Sequence, residues 1–120
     1  MKFTVALPPS INRTYGVSTK GDRHMYKRQV VKDWEEAAGW EIKKQYAQSS
    51  TIDKDKDLCV YIDWFLERNR DIDAGIKVLL DLFQKQRVYD NDMKIIELIV
   101  RKHFLVDGRL PFADVTITNV

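Results

Sequence analysis

Apolar and polar residues alternate at the start of the chain. Phe3, Val5 and Leu7 interleave with Thr4 and Ala6 at the two-residue period of a half-buried strand, and Pro8 and Pro9 then stop it. From 10 to 24 glycines, serines and polar side chains follow without a period, which predicts a surface loop. Helical spacing takes over at Val30, Val31, Trp34, Ala37, Ala38, Ile42 and Tyr46, predicting a first helix over 26–46. Leu58, Val60, Ile62, Trp64 and Leu66 alternate with Cys59, Tyr61, Asp63 and Phe65, a second strand. Ile72, Ile76, Leu79, Leu80 and Phe83 share one face of a second helix over 73–86. The β-branched stretch 95–106 suits a long central strand, and Asp107-Gly108 predicts a hairpin turn into a last strand over 112–118. The order is β-α-β-α-β-β, an α+β fold with two helices packed on a mixed four-stranded sheet.

Composition sets limits on this picture. With 120 residues, 44% of them hydrophobic, the chain builds one core and one domain, 1–120. Cys59 is the lone cysteine and has no partner for a disulfide, so a reducing compartment, the cytoplasm, is expected. No run of about 18 apolar residues predicts a membrane span, and the N-terminal stretch lacks the features of a signal peptide. The net charge of +2 is unevenly spread. Lys2, Arg13, Lys20, Arg23, Lys27, Arg28 and Lys32 stand against Asp22 alone in the first 32 residues, so the remainder is net acidic. One region suits phosphate and another suits metal. Trp34, Trp40 and Trp64 occupy positions consistent with burial, which leaves Tyr15, in the polar loop, as the aromatic candidate for nucleic-acid contact.

The chemistry concentrates where the second strand gives way to the second helix. If 71–73 is extended, Asp71 and Asp73 point to one side, with Lys77 a helical turn further on. An aspartate before a helix is ordinarily a cap, but capping does not call for Asp71, nor for a second acidic cluster at Asp90 and Asp92. Carboxylates suit Mg²⁺, with Mn²⁺ as a substitute, which takes one or two of them and completes its shell with water and phosphate. Zinc fits poorly, since His24 and His103 are far apart and Cys59 stands alone. One difficulty is geometric: the helix runs away from Asp71, so a single chain need not bring Asp92 back to it.

Arg70, Asp71, Ile72 and Asp73 with Lys77, then Asn91 and Asp92 before an aliphatic strand, resemble the catalytic pattern of the RusA family of crossover junction endonucleases. The opening Leu7, Pro8, Pro9, Ser10, Ile11, Asn12, Arg13, Thr14 and Tyr15 is similar to that family's N-terminal segment. The resemblance implies a Mg²⁺-dependent endodeoxyribonuclease that resolves four-way (Holliday) junctions by paired symmetrical nicks in DNA recombination and repair. Asp71, Asp73 and Asp92 would be its metal ligands and Lys77 its essential lysine. It also implies a homodimer, whose partner subunit can complete a site that one chain builds in part. Asn12, Arg13, Tyr15, Lys27, Arg28, Arg68 and Arg70 are the expected DNA contacts. The pattern departs at Ala74, where the family commonly has Asn, and at Lys94, where it commonly has Gln. Two alternatives stand beside it. One is a non-catalytic junction-binding module, with the aspartates as caps; the other is a restriction-type nuclease using Asp71 with Asp92, Met93 and Lys94.

Overall fold

The structure is a computed structural model that describes residues 1–9, 15–17, 25–27, 29–106 and 108–120, with 15–17 and 25–27 described as backbone. The strand-helix alternation of the sequence appears as β1 (Lys2–Ala6), α1 (Gln29–Tyr46), β4 (Leu58–Leu66), α2 (Ile76–Lys85), β5 (Ile95–Phe104) and β6 (Phe112–Asn119). The β-α-β-α-β-β order holds, as does the mixed four-stranded sheet with two helices. Two further short strands, β2 (Tyr15–Val17) and β3 (Met25–Lys27), pair antiparallel with Tyr15 opposite Lys27. Three residues are too few to print a period, so this stretch reads as loop and helix start in the sequence, and α1 begins at Gln29 instead of 26.

The sheet order is β1-β6-β4-β5, with β4 antiparallel to β6 and parallel to β5. Two expectations change here. The stretch beginning at Ile95 is an edge strand, not a central one, and Gly108 does not close a hairpin, because β4 lies between β5 and β6. The connection arches over the end of β4 instead, and Leu105 N–H donates to the Leu66 carbonyl at 2.8 Å. A turn dipeptide fixes local backbone, here Gly108 at φ 73°, but not which strands become neighbours.

The core lies on the helix side of the sheet. Leu58, Val60, Ile62, Trp64 and Leu66 of β4 are all at most 1% exposed, and they meet Val31, Trp34, Ala38 and Ile42 of α1 and Val78, Leu79, Leu82 and Phe83 of α2. Phe3 of β1 meets Phe83 edge to face at 5.0 Å. The Trp34 indole N–H donates to the Ala6 carbonyl at 2.9 Å, satisfying a polar group that burial would otherwise leave unpaired. Trp40 departs from expectation. It lies off the Val31, Trp34, Ala38, Ile42 stripe and is 68% exposed.

Candidate active site

The chain leaves β4 at Leu66 and enters α2 at Ile76, and the segment between them carries both Asp71 and Asp73. It is not extended. Ala74 N–H donates to the Asp71 carbonyl at 3.0 Å and Ile76 N–H to the Asp73 carbonyl at 3.2 Å, so two tight turns follow one another. The strand-alternation argument for convergence therefore lapses, and the two aspartates share a compact double turn instead. Asp71, Ile72 and Asp73 are all exposed.

The capping explanation of Asp73 fails. The residue at the N-cap of α2 is Gly75, with φ 88°, and no side chain caps the helix. A left-handed φ favours glycine, and space demands it as well: a Cβ there would sit 2.9 Å from Pro8 Cγ and 3.3 Å from the Pro9 carbonyl oxygen. The two stretches of sequence that carried the family resemblance, the proline pair and the acidic turn, are thus packed against each other. Among the described residues neither the Asp71 nor the Asp73 side chain has a hydrogen bond or ion pair, so both carboxylates are available to a ligand.

The backbone beneath them is held firmly. Arg70 donates through Nη1 to the Pro8 carbonyl at 2.8 Å and through Nη2 to the Ala74 carbonyl at 3.1 Å, while its guanidinium lies 5.4 Å from the centre of the Trp64 ring. Burial lowers the Arg70 pKa from its ordinary value. The Trp64 indole N–H donates to the Ile72 carbonyl at 2.7 Å. These donors have no local sequence pattern; only the glycine after the acidic pair hinted at a constrained turn. A shallow cleft of about 260 Å³ opens beside the turn, lined by Leu7, Glu67, Arg68, Asn69, Arg70 and Pro111. The larger groove, about 550 Å³ between α1 and α2 with Trp40 and Lys43 on its wall, contains none of the candidate aspartates.

Asp92 lies elsewhere. It opens a single 3-10 turn (Asp92–Lys94) just before β5, where Asn91 Oδ1 accepts from Met93 N–H at 2.9 Å and Gln84, near the end of α2, accepts from Asp92 N–H at 2.9 Å. Asp73 precedes α2 and Asp92 follows it, so they are separated on the order of 15 Å, the length of a ten-residue helix at about 1.5 Å per residue. Among the described residues no group of three or more His, Cys, Asp or Glu side chains is placed to hold a metal ion. The two acidic clusters thus flank opposite ends of α2.

The remaining candidates divide. Lys77 is exposed on the first turn of α2 and donates to Asp81 at 3.1 Å, an ion pair of the weak, solvent-screened kind. Lys94 Nζ donates to the Asp55 carbonyl at 3.2 Å, at the Asp92 end. Arg68 is exposed next to the acidic turn, whereas the Arg70 guanidinium turns inward to its two carbonyls. Asn12, Arg13, Arg28 and His24 lie outside the described residues, as do the side chains of Tyr15 and Lys27. His103 pairs with Asp63 at 2.8 Å and stacks on Phe65 on the sheet face away from the helices.

The family model for endodeoxyribonuclease RusA matches residues 6–118, nearly the whole chain. The chain belongs to the RusA family. No curated relative matches it. The match spans the proline pair, the acidic turn and Asp92 alike, so this RusA-family chain carries every part of the candidate site within the matched region. Membership makes it an endodeoxyribonuclease by family. Among the described residues no helix is long and apolar enough to cross a membrane.

Proposed function

We propose that the protein is a Mg²⁺-dependent homodimer that resolves four-way DNA junctions by paired nicks, each active site combining Asp71 and Asp73 of one protomer with the partner's Asp92. The observation that carries this is the direction of β5. It runs parallel to β4, in register from Leu58 opposite Ile95 to Leu66 opposite Phe104, so β5 starts at the Asp92 end and finishes at the Asp71 end. Among the described residues no strand lies beside its outer edge. Ile96, Leu98 and Phe104 on it are 59%, 41% and 55% exposed. A long apolar edge of this kind invites pairing with another strand. If two copies pair β5 antiparallel about a two-fold axis, the start of one β5 lies against the finish of the other, and Asp92 arrives where Asp71 and Asp73 wait.

Asp71 and Asp73 fit the metal. Two exposed carboxylates on a fixed turn, unpaired among the described residues, supply the hard oxygen donors that Mg²⁺ takes, with Mn²⁺ as a substitute. When bound, the ion supplies an activated water and stabilises charge on the departing oxygen. The chain's own residues do the rest. Arg70 and Trp64 keep the turn from yielding as phosphate approaches, and Lys77, released from a weak surface pair, neutralises charge on the scissile phosphate. Arg68, with Asn12, Arg13, Tyr15, Lys27 and Arg28, contacts the junction arms, and Arg70 sets the backbone behind them.

The test is cleavage of a labelled four-way junction beside matched linear duplex, with Mg²⁺ or EDTA, by wild type and Asp73→Asn. Paired nicks in the junction alone, abolished by EDTA and by Asp73→Asn while junction binding persists, are the expected result. Tight binding without cleavage in any divalent metal would leave a non-catalytic junction-binding protein instead.

A further inference from the structure

Two neighbouring side chains on the helix side of the sheet aim at the same backbone. Trp64 and Lys102 are cross-strand partners in the parallel pair of β4 and β5. Trp64 holds the Ile72 carbonyl, between the two aspartates. Lys102 Nζ donates to the Arg70 carbonyl at 3.2 Å and to Asn69 Oδ1 at 2.9 Å. The carbonyls on either side of Asp71 are therefore both anchored from the sheet, one by each strand.

Lys102 is half-buried, and among the described residues both of its acceptors are neutral, with no carboxylate paired to it. Its donors are spent on the Arg70 carbonyl and Asn69 Oδ1, both in the segment that leads directly into the turn bearing Asp71 and Asp73.

We propose that Lys102 is a positioning residue for the metal-binding carboxylates, tying the turn to the edge strand through the Arg70 carbonyl and Asn69. This rests on the reading of Asp71 and Asp73 as metal ligands. It adds a route by which the two halves of the site communicate, because Lys102 belongs to the strand whose free edge would meet the partner subunit. Residues that orient metal ligands typically govern affinity without touching the ion.

The experiment measures Mn²⁺ affinity of the DNA-free protein by calorimetry, with thermal unfolding alongside, for wild type, Lys102→Met, Lys102→Arg, Asn69→Ala and Asp73→Asn. Lys102→Met keeps the aliphatic stem and removes the donors; it should weaken Mn²⁺ binding about tenfold. Lys102→Arg should restore most of that loss, and Asn69→Ala should weaken binding by a smaller factor with the unfolding temperature unchanged. Should Lys102→Met fail to fold, the exposed Asn69→Ala decides alone. If Asp73→Asn abolishes Mn²⁺ binding while Lys102→Met and Asn69→Ala bind as wild type does, the proposal for Lys102 is overturned and the metal site stands. If Asp73→Asn itself binds Mn²⁺ like wild type, the metal site falls and the role of Lys102 with it.

Discussion

The two ends of α2 are built differently. At its start, the acidic turn is tied to three strands: Trp64 reaches it from β4, Lys102 from β5, and Arg70 reaches from it to the Pro8 carbonyl beyond β1. At its finish, the turn that carries Asp92 is held by Asn91 and by Gln84 of α2, with one long-range tie from Lys94 to the Asp55 carbonyl. Ties to several strands fix position relative to the whole sheet, whereas bonds within the helix and its own turn mainly fix the shape of the turn. The first end is a finished platform for two carboxylates. The second places one carboxylate just before the edge strand β5, where, on the proposed reading, the partner subunit meets it.

The sharpest way to break this comparison is to disable one end at a time and then mix the proteins. Asp73→Asn and Asp92→Asn should each lower junction cleavage by roughly 10³-fold, as loss of a transition-state contact does. Mixed after dissociation and reassembly, they should recover activity, because each heterodimer holds one site with all three aspartates and another with none of its required pairings intact. With random assortment, half the dimers carry one good site, so nicking should return to roughly a quarter of wild type, as unpaired nicks. If each chain builds its own site, mixing recovers nothing.

Charge on the open edge tests the same difference from the side of assembly. Ile96→Lys with Leu98→Lys alters two exposed positions and leaves the core alone. Set against the basic finish of the partner strand, where Arg101 and Lys102 lie in each copy, the lysines should weaken the dimer by on the order of 100-fold, since like charges across an interface cost several kcal/mol. Sedimentation should then show a folded monomer, with cleavage falling in proportion to the dimer lost. A variant that stays dimeric and active would place the interface elsewhere.

Element order and the helix-side core were legible because β4 and α2 are long enough to print their periods. The rank of β5 was not. Its largely apolar first half, Ile95 to Val100, suits a central strand as well as an edge, and only the sheet order, with β4 on one side of it, separates the two. The site was legible in its carboxylates and not in its supports. Asp71 and Asp73 stand side by side in the sequence, but Trp64, Arg70 and Lys102 act on backbone carbonyls, which leave no trace in side-chain spacing. Trp40 escaped because a helix stripe tells which positions face the core only once the axis of that face is fixed, here by Val31, Trp34, Ala38 and Ile42.

The lysines sharpen the comparison further, since one lies at each end. Lys77→Met should reduce cleavage by roughly 100-fold with junction binding retained, while Lys94→Met should stay within a few-fold of wild type. The unfolding midpoint should scarcely move for Lys77→Met, whose pair with Asp81 is worth at most about 1 kcal/mol. A reversed order of the two lysines would favour the restriction-type alternative, in which Lys94 supports the nucleophile.

Smaller effects probe stability at each end. Gly75→Ala forces a side chain into a left-handed backbone and against Pro8, and should cost about 1–3 kcal/mol in urea unfolding, with weaker metal binding because the acidic turn must shift.

At the other end, Tyr89 is fully buried and its hydroxyl donates to the Leu80 carbonyl at 2.6 Å. Tyr89→Phe should cost about 1 kcal/mol near neutral pH through that lost bond. Burial, followed by the negative charges of Asp92 and Asp81, pushes the phenol pKa above its ordinary value. The folded chain therefore keeps this proton where the unfolded chain, titrating near pH 10, gives it up, and the stability Tyr89 contributes is complete below about pH 10 and lost as pH rises above it. The gap in urea midpoint between wild type and Tyr89→Phe should accordingly shrink from pH 7 to about pH 10.5. A gap that stays constant would mean that the phenol is not held protonated by its surroundings, and that the Asp92 end is less tightly closed than its burial indicates.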